Sequence, residues 1–212
     1  MIKFDKICLS FDGKKIFSGL DLEIASGEKV VLSGRSGIGK SSLFGLVLGF
    51  IVPDSGSVFF DGVRVDEKSV WDVRKKAAFV DQDVSAGYGR LGDWFSSVSG
   101  FKANSDADFS DDRIFELMDR LDLKKDLLGK NVSELSGGER QRSALIVSLI
   151  LKRKVFLLDE VTSALDKELK KKVAAMFFED ADLTVACVSH DPVWSESPNA
   201  RMFDMEALEW KR

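Results

Sequence analysis

Eight residues with the pattern G-x-x-x-x-G-K-S, Gly34–Ser41, carry the clearest chemistry in this chain of 212 residues. Gly34 and Gly39 let the backbone curl so that successive N–H groups can point at phosphate oxygens. Lys40 offers a compact positive charge to the β- and γ-phosphates of a nucleotide, and Ser41 offers a hydroxyl to Mg²⁺. The pattern predicts a phosphate-binding loop, against the plainer interpretation of a glycine-rich turn. The residues predicted to contact the nucleotide here are Gly34, Arg35, Ser36, Gly37, Ile38, Gly39, Lys40, Ser41 and Ser42.

The residues around this loop have the order that a phosphate site needs. Val30–Leu32 is a short apolar run typical of a buried strand. Beyond the loop, apolar residues recur at helical spacing from Leu43 to Ile51. The N-terminus of such a helix carries about half a positive charge, which favours a bound anion. We therefore expect a strand, the glycine loop and a helix in succession.

Three further apolar segments end in polar residues. Runs of this kind are typical of strands buried on both faces of a parallel sheet. Open parallel sheets bind ligands outside the carboxyl ends of their strands, so we expect these polar residues to meet the glycine loop at one edge. The segments and the residues that follow them are Ala77–Val80 with Gln82, Val155–Leu158 with Asp159 and Glu160, and Thr184–Val188 with His190.

A second glycine pair, Gly137-Gly138, follows Ser136 and precedes a predicted helix. Backbone N–H groups beside a helix N-terminus form an anion-binding surface. The alternative is a plain helix N-cap by Ser136, which needs no ligand. Both interpretations place the start of a helix here, and its apolar residues recur at helical spacing. The face that this helix is expected to bury consists of Leu145, Ile146, Leu149 and Ile150.

The first sixty residues predict an antiparallel ribbon joined to the start of a parallel α/β unit. A strand over residues 2–11 is expected to end at Asp12-Gly13, with Ile7, Leu9 and Phe11 on one face. A second strand, in which apolar and acidic residues alternate, follows over residues 20–24. The predicted fold class is therefore α/β, with a phosphate-loop NTPase core, a mostly parallel sheet and an N-terminal antiparallel ribbon.

Residues 84–150 predict a mostly helical subdomain inserted in this core. From Val84 to about Asn104 the pattern favours a loop with weak helix. Ser110 is expected to open a helix whose first turn is acidic. A cation site is the alternative for the acidic residues of this stretch, which are Asp106, Asp108, Asp111 and Asp112.

Composition limits the classes of protein to which the chain can belong. Its length fits one large domain over residues 1–212. The 31 basic and 35 acidic residues give a net charge of −4, and no basic excess suggests a nucleic-acid partner. Cys8 and Cys187 lie in apolar segments and are expected to pack as small hydrophobic residues. The longest apolar stretches, Phe44–Val52 and Ala144–Leu151, are too short to span a bilayer, so we expect a soluble, cytoplasmic protein.

Together these motifs resemble the nucleotide-binding subunit of an ATP-binding cassette (ABC) transporter, over nearly the whole chain. Gly34–Ser41 matches the Walker A motif, and Val155–Asp159 with the following glutamate matches Walker B. Leu135–Glu139 matches the signature motif, which separates ABC ATPases from other phosphate-loop proteins. The remaining matches are Gln82 with the Q-loop, Ser163–Asp166 with the D-loop, His190 with the switch histidine, and Phe11 with the aromatic residue that stacks on adenine.

The resemblance implies a role for each matching residue. Asp159 and Ser41 would hold Mg²⁺, and Glu160 would polarise the attacking water as general base. Gln82 would contact Mg²⁺ or that water, and His190 would contact the γ-phosphate of ATP. The resemblance therefore implies an Mg²⁺-dependent ATPase.

Plainer interpretations stay open for three of these residues. Phe11 could pack in the core, Gln82 could be an ordinary loop residue, and His190 could be structural. The lysine run at 170–172 gets no functional role, because a solvated helix face explains it.

The resemblance also implies partners. The subunit would drive an integral-membrane permease from the cytoplasmic face of the membrane. It would form an ATP-dependent homodimer in which Ser136, Gly137 and Gly138 contact ATP bound to the second copy. Asp83–Gly92 departs from the family, which commonly has an apolar or proline-containing stretch there, so the residues that contact the permease stay open. The alternative is a soluble ABC ATPase acting on DNA or ribosomes.

Overall fold

The computed structural model describes residues 1–84 and 89–211. Within these ranges the chain forms ten strands and seven α-helices, together with short 3₁₀ turns. The strands are β1 (Ile2–Phe11), β2 (Lys14–Ile24), β3 (Lys29–Ser33), β4 (Ser55–Phe60), β5 (Val63–Arg64), β6 (Ala77–Val80), β7 (Val155–Asp159), β8 (Thr184–Val188), β9 (Ala200–Asp204) and β10 (Glu209–Trp210). The helices are α1 (Lys40–Val47), α2 (Val70–Lys76), α3 (Leu91–Ser99), α4 (Asp111–Arg120), α5 (Gly137–Ile150), α6 (Lys167–Phe178) and α7 (Pro192–Ser195).

The N-terminal part forms a four-stranded antiparallel sheet with the strand order β2-β1-β4-β5. Asp12 and Gly13 connect β1 to β2 with φ angles of 50° and 78°, as a tight hairpin turn requires. The pairing of β1 with β2 shifts register between Leu9 and Ser10. Leu9 is buried and Phe11 is exposed, so the prediction that they share one face of the strand is wrong. A register irregularity of this kind redirects the side chains that follow it.

The second sheet has six strands in the order β10-β9-β3-β8-β7-β6. Its strands β9, β3, β8, β7 and β6 are parallel, and β10 pairs antiparallel with β9. The carboxyl ends of β3, β8, β7 and β6 therefore lie along one edge, as the sequence predicts. The predicted α/β fold, with a mostly parallel sheet and an antiparallel N-terminal sheet, is confirmed.

Side chains from the two faces of this parallel sheet enter two hydrophobic cores. Along β7, Phe156 and Leu158 enter the core that includes α5 and α6, whereas Val155 and Leu157 enter the core shared with α1 and the antiparallel sheet. This alternation follows from the period of two in a strand. Burial on both faces explains why the strand sequences read as continuous apolar runs.

Helices α3, α4 and α5 lie between β6 and β7 in the chain. The sequence predicts only weak helix around α3, but the structure contains a nine-residue helix there, with Leu91 and Phe95 buried. Ser96 and Ser97 donate hydrogen bonds to the carbonyls of residues 92 and 93, four positions earlier. Serine is a modest helix former, so the burial of the apolar face outweighs local propensity here.

The predicted start of α4 is confirmed. Its first residue is Asp111, and the side chain of Ser110 accepts a hydrogen bond from the backbone N–H of Arg113 at 3.4 Å. Asp111 and Asp112 occupy the first turn, where negative charge favours the helix dipole. The acidic stretch is therefore used as a helix start.

The cysteines agree with the apolar character of their segments. Cys187 is fully buried in β8, Cys8 is half-buried in β1, and both are free thiols. Burial raises the pKa of the Cys187 thiol well above its ordinary value. Across residues 1–84 and 89–211, no helix combines the length and the hydropathy needed to cross a bilayer.

Candidate active site

A cleft of about 460 Å³ lies at the carboxyl edge of the parallel sheet. It brings together residues from four strand ends and from the β1–β2 hairpin, which are far apart in the chain. The residues that line it are Phe11, Ile16, Ser36, Gly37, Gly39, Lys40, Ser41, Ser42, Gln82, Asp159, Glu160, Val188 and His190. The convergence predicted from the sequence is therefore present.

The glycine loop between β3 and α1 has a backbone that other residues would adopt only under strain. Gly34, Gly37 and Gly39 have φ angles of 143°, 76° and 103°. A Cβ atom at position 39 would lie 2.4 Å from Cγ2 of Ile16 and 2.8 Å from Cζ of Phe17. The loop therefore needs glycine at position 39 for both its conformation and its packing.

Helix α1 begins at Lys40, and among the described residues no side chain caps its N-terminus. Its first N–H groups are therefore available to an anion in the cleft. Lys40 is only 7% exposed. Its Nζ donates to the carbonyl oxygens of Gly34 at 2.6 Å and Arg35 at 2.9 Å, which folds the ammonium group back over the loop.

Glu206, in the turn between β9 and β10, is a neighbour of the loop that the sequence interpretation missed. Its Oε1 accepts hydrogen bonds from the backbone N–H of Arg35 at 3.0 Å and from Nε of the same residue at 3.1 Å. These hydrogen bonds lower the pKa of the Glu206 carboxyl. Glu206 follows Arg35 by 171 positions and belongs to no motif, so only the pairing of β9 with β3 could reveal the contact.

Asp159 lies at the end of β7 and is buried. Burial raises the pKa of its carboxyl, and the charge of Asp81 acts in the same direction, while a hydrogen bond with Ser41 and the charge of Lys40 oppose the shift. A carboxyl whose burial makes ionisation costly gains from a nearby cation. Asp159 and the Ser41 hydroxyl are hard oxygen donors, and Mg²⁺ commonly binds one or two carboxylates with phosphates and water. The donor set therefore fits Mg²⁺.

Glu160 follows Asp159 with a positive φ angle of 49°, which is uncommon for a residue other than glycine. Its backbone N–H donates to the carbonyl of Val188 at 2.9 Å and so joins β7 to the end of β8. The Glu160 side chain is 18% exposed, and its Oε1 lies 3.7 Å from Nε2 of His190. Uncommon backbone conformations of this kind are enriched at active sites.

His190 and Phe11 both lie at the open side of the cleft. The side chain of His190 is 59% exposed, and Phe11 is 44% exposed. Neither is packed in a core, so the core-packing interpretation of Phe11 is wrong. Ile16, which the sequence interpretation missed, lines the same part of the cleft as Phe11 because the two residues lie on paired strands of the hairpin.

Gln82 lines the cleft at the end of β6. A hydrogen bond from α5 holds the preceding residue, Asp81: Nε2 of the buried Gln141 donates to its carbonyl oxygen at 3.2 Å. Within the polar segment predicted from Asp83 to Gly92, residues 85–88 lie outside the described residues.

The second glycine motif lies apart from this cleft. Ser136 caps α5: its Oγ accepts from the N–H of Glu139 at 3.2 Å, and Oε2 of Glu139 accepts from the N–H of Ser136 at 2.8 Å. This is a capping box, so the helix N-cap predicted at Ser136 is confirmed. Ser136, Gly137 and Gly138 are not among the residues that line the cleft of their own chain.

Comparison with known proteins gives consistent matches. The family model described as ABC transporter matches residues 17–163. The chain is 32% identical, over 82% of its length, to an ATP-dependent lipid A-core flippase of Ralstonia nicotianae, but it covers only 31% of that protein. It is 34% identical to the probable iron export ATP-binding protein FetA of Escherichia coli, over 84% of this chain and 79% of that one.

Among solved structures, a dimeric ATP-binding cassette in a post-hydrolysis state with ADP and Pi has the same fold. It superposes with a TM-score of 0.80 at 21% identity, over 100% of this chain and 97% of that one. The similarity of fold agrees with the match over residues 17–163 and with the motifs that meet in the cleft. The chain belongs to the ABC transporter family.

Proposed function

We propose that this chain is the ATP-binding and ATP-hydrolysing subunit of an ABC transporter and drives a separate integral-membrane permease. The observation that carries the proposal is the cleft in which the glycine loop, Asp159, Glu160, Gln82 and His190 meet. A phosphate loop with its lysine, a carboxylate that can hold Mg²⁺ and a second carboxylate that can orient water are groups that serve phosphoryl transfer to water.

The glycine loop would bind the phosphates of ATP. Lys40 and the uncapped N–H groups at the start of α1 supply positive charge and donors in one place. Ser36, Gly37, Ser41 and Ser42 line the same part of the cleft. Ser41, Asp159 and Gln82 would hold Mg²⁺, which neutralises phosphate charge when it is bound.

Glu160 would act as the general base. Its carboxylate would orient the attacking water and accept its proton, and the backbone hydrogen bond to Val188 holds it at the cleft. His190 lies beside that carboxylate and would contact the γ-phosphate of ATP. The 3.7 Å separation of their side chains allows both to approach one reacting group.

Phe11 and Ile16 would contact the adenine base. Both line the outer part of the cleft, and Phe11 presents an exposed ring on which a base could stack. The separation of Ser136, Gly137 and Gly138 from the cleft supports a role between two chains. In a two-fold, head-to-tail homodimer these residues would face ATP bound to the other copy.

The proposal places the chain, as one cassette over residues 1–212 with a helical subdomain over about 84–150, on the cytoplasmic face of a membrane. The relatives named for iron export and for lipid A-core flipping favour transport over a soluble role on DNA or ribosomes. No nucleic-acid partner is proposed, in agreement with a net charge of −4.

A test uses Glu160→Gln. We expect this variant to bind Mg-ATP and to hydrolyse it about 10²–10⁴-fold more slowly, because it lacks the general base. Trapped ATP would then join two chains, so size-exclusion chromatography should show a dimer with Mg-ATP and a monomer with ADP. Near-normal turnover would contradict the role of Glu160.

The matched control adds Ser136→Arg to Glu160→Gln. The bulky side chain would occupy the place of the γ-phosphate contact in the other copy, so the dimer should be lost while each monomer still binds ATP. A double variant that dimerises with ATP would contradict the contact between chains.

A further inference from the structure

A buried hydrogen bond joins the two segments that follow Glu160 and His190. Nε1 of Trp194 donates to Oγ1 of Thr162 at 3.0 Å, and both side chains are 0% exposed. Thr162 follows Glu160 by two positions, and Trp194 follows His190 by four. The bond therefore connects the segments that carry Glu160 and His190, whose side chains lie 3.7 Å apart in the cleft.

The surroundings fix the position of the indole ring. Its centroid lies 5.0 Å from that of Phe178 in an edge-on arrangement and 6.5 Å from that of Phe177, both on α6. Phe177 in turn packs on Phe156 of β7 at 5.0 Å. An aromatic cluster in a packed core allows little movement of its members.

A second contact connects the segment that carries His190 to helix α6. Oδ2 of Asp191 lies 2.5 Å from Nζ of Lys170, and Oδ1 of Asp191 accepts from the N–H of Val193 to cap α7. Burial opposes ionisation of Asp191, but the hydrogen bonds from Lys170 and Val193 outweigh it and lower the pKa of the carboxyl. The residue after His190 is thus tied to the helix that follows the Glu160 segment.

These contacts give Thr162 and Trp194 a role in addition to packing in the core. A buried indole N–H left without an acceptor would carry a desolvation cost, so the segment holds the register in which Trp194 meets Thr162. Glu160 is already fixed to β8 by its backbone hydrogen bond to Val188. His190 is exposed and has to be positioned by the residues on either side of it.

We propose that Trp194 and Thr162 are positioning residues, whose hydrogen bond sets the place of His190 relative to the Glu160 carboxylate for ATP hydrolysis. The proposal rests on the ATPase function proposed above. It assigns no contact between either residue and ATP. Misplacement of a reacting group by about 1 Å can reduce a rate by about 10²-fold.

The test compares Thr162→Val and Trp194→Phe, each of which removes one partner of the bond. Thr162→Val nearly keeps the shape of the side chain, whereas Trp194→Phe also leaves a smaller ring in the core, so Thr162→Val is the decisive variant. We expect each variant to lower kcat about tenfold or more, with less than about a twofold change in KM for ATP, because binding groups are untouched. The double variant should be no slower than the slower single variant, since both substitutions remove the same bond. Thr162→Ser keeps the hydroxyl and should restore most of kcat.

Thr184→Val is the matched control. Thr184 is also a buried threonine, and its Oγ1 accepts from the N–H of Gly27 at 2.9 Å, but it lies at the opposite end of β8. This variant should lose thermal stability without a change in kcat. Equal losses of kcat in Thr162→Val and Thr184→Val would overturn the proposal, as would an unchanged kcat in Thr162→Val.

The wild-type protein separates this inference from the proposed function. Failure of the wild-type chain to hydrolyse ATP would overturn both, whereas normal wild-type hydrolysis with no loss in Thr162→Val would overturn only the positioning role. If both single variants unfold, the bond supports the fold rather than the site, and the proposal is wrong.

Discussion

The two glycine-containing loops that precede α1 and α5 differ in how the N-termini of their helices are satisfied. Among the described residues no side chain caps α1, which follows Gly39, whereas Ser136 and Glu139 cap α5 reciprocally. Helix N-termini leave N–H groups without intrahelical partners. The first loop therefore offers its N–H groups to an anion from outside, whereas in the second loop side chains already bind the N–H groups of Ser136 and Glu139.

This difference separates the roles of the two loops. An uncapped end inside a cleft binds phosphate within its own chain, because the donors and Lys40 are held there in advance. A capped helix end outside the cleft is stable without ligand, and it can contact a nucleotide that is bound to a second copy of the chain. The acid beside each loop shows a matching difference in pKa. Burial raises the pKa of Asp159 beside the first loop, while hydrogen bonds from Ser136 lower the pKa of Glu139 in the second.

Lys40→Ala would test the dependence of the first loop on charge. We expect Mg-ATP affinity to fall by about 100-fold or more, because a nearly buried ammonium and its charge-assisted contacts are lost. Isothermal titration calorimetry of the single chain would measure the loss. Ser136→Ala, on the second loop, is the control and should leave this affinity unchanged. Unchanged affinity in Lys40→Ala would contradict the comparison.

Gly39→Ala and Gly137→Ala form a matched pair on the two loops. The first adds a Cβ at a positive φ and against Ile16, so it should distort the loop, reduce ATP binding and lower Tm. The second adds a Cβ that meets no atom within 4 Å, so the folded chain and its ATP binding should be unchanged. Calorimetry and thermal melts would measure both. Similar losses in the two variants would show that the loops are not built differently.

Ser136→Ala should cost about 1 kcal/mol of unfolding free energy, the usual effect of losing an N-cap. Urea unfolding would measure it. Ser136→Asn supplies another good cap and should recover most of the stability. A stability equal to that of the wild type in Ser136→Ala would show that the capping box contributes nothing to α5.

The two acids predict pH effects of opposite sign. Because the pKa of Glu139 is lowered in the folded chain, its ionised carboxylate stabilises the fold at pH values above 4.5, the ordinary pKa of the group. This stabilisation is lost as the pH falls through the lower pKa of the folded chain. Because the pKa of Asp159 is raised in the folded chain, ionisation of its carboxyl destabilises the fold. This destabilisation is absent below pH 3.8, the ordinary pKa of the group, and complete once the pH exceeds the pKa in the folded chain. Without nucleotide at neutral pH, Glu139→Gln should therefore lower Tm and Asp159→Asn should raise it. Thermal melts between about pH 3 and pH 8 should show both differences shrinking in acid, that of Glu139→Gln only below about pH 4.5. Shifts of Tm with the same sign in the two variants would contradict the comparison.

Much of the fold follows from local patterns. The apolar runs at Val30–Leu32 and Val155–Leu158 predict buried parallel strands, because both faces of such strands are covered. Ser110 and Ser136 predict helix starts through capping, which acts over three residues. Helix α3 was underestimated because its serines favour other conformations and only tertiary burial of Leu91 and Phe95 offsets them.

By itself the sequence determined the phosphate loop and the acids at the strand ends, because contiguous residues and strand direction fix both. Only the tertiary structure decided the outward position of Phe11, since it depends on a register shift between two strands. It also decided the contacts of Glu206 with Arg35 and of Trp194 with Thr162. These pairs are distant in the chain and belong to no local pattern, so only the pairing of β9 with β3 and the packing of α7 on α6 could bring them together.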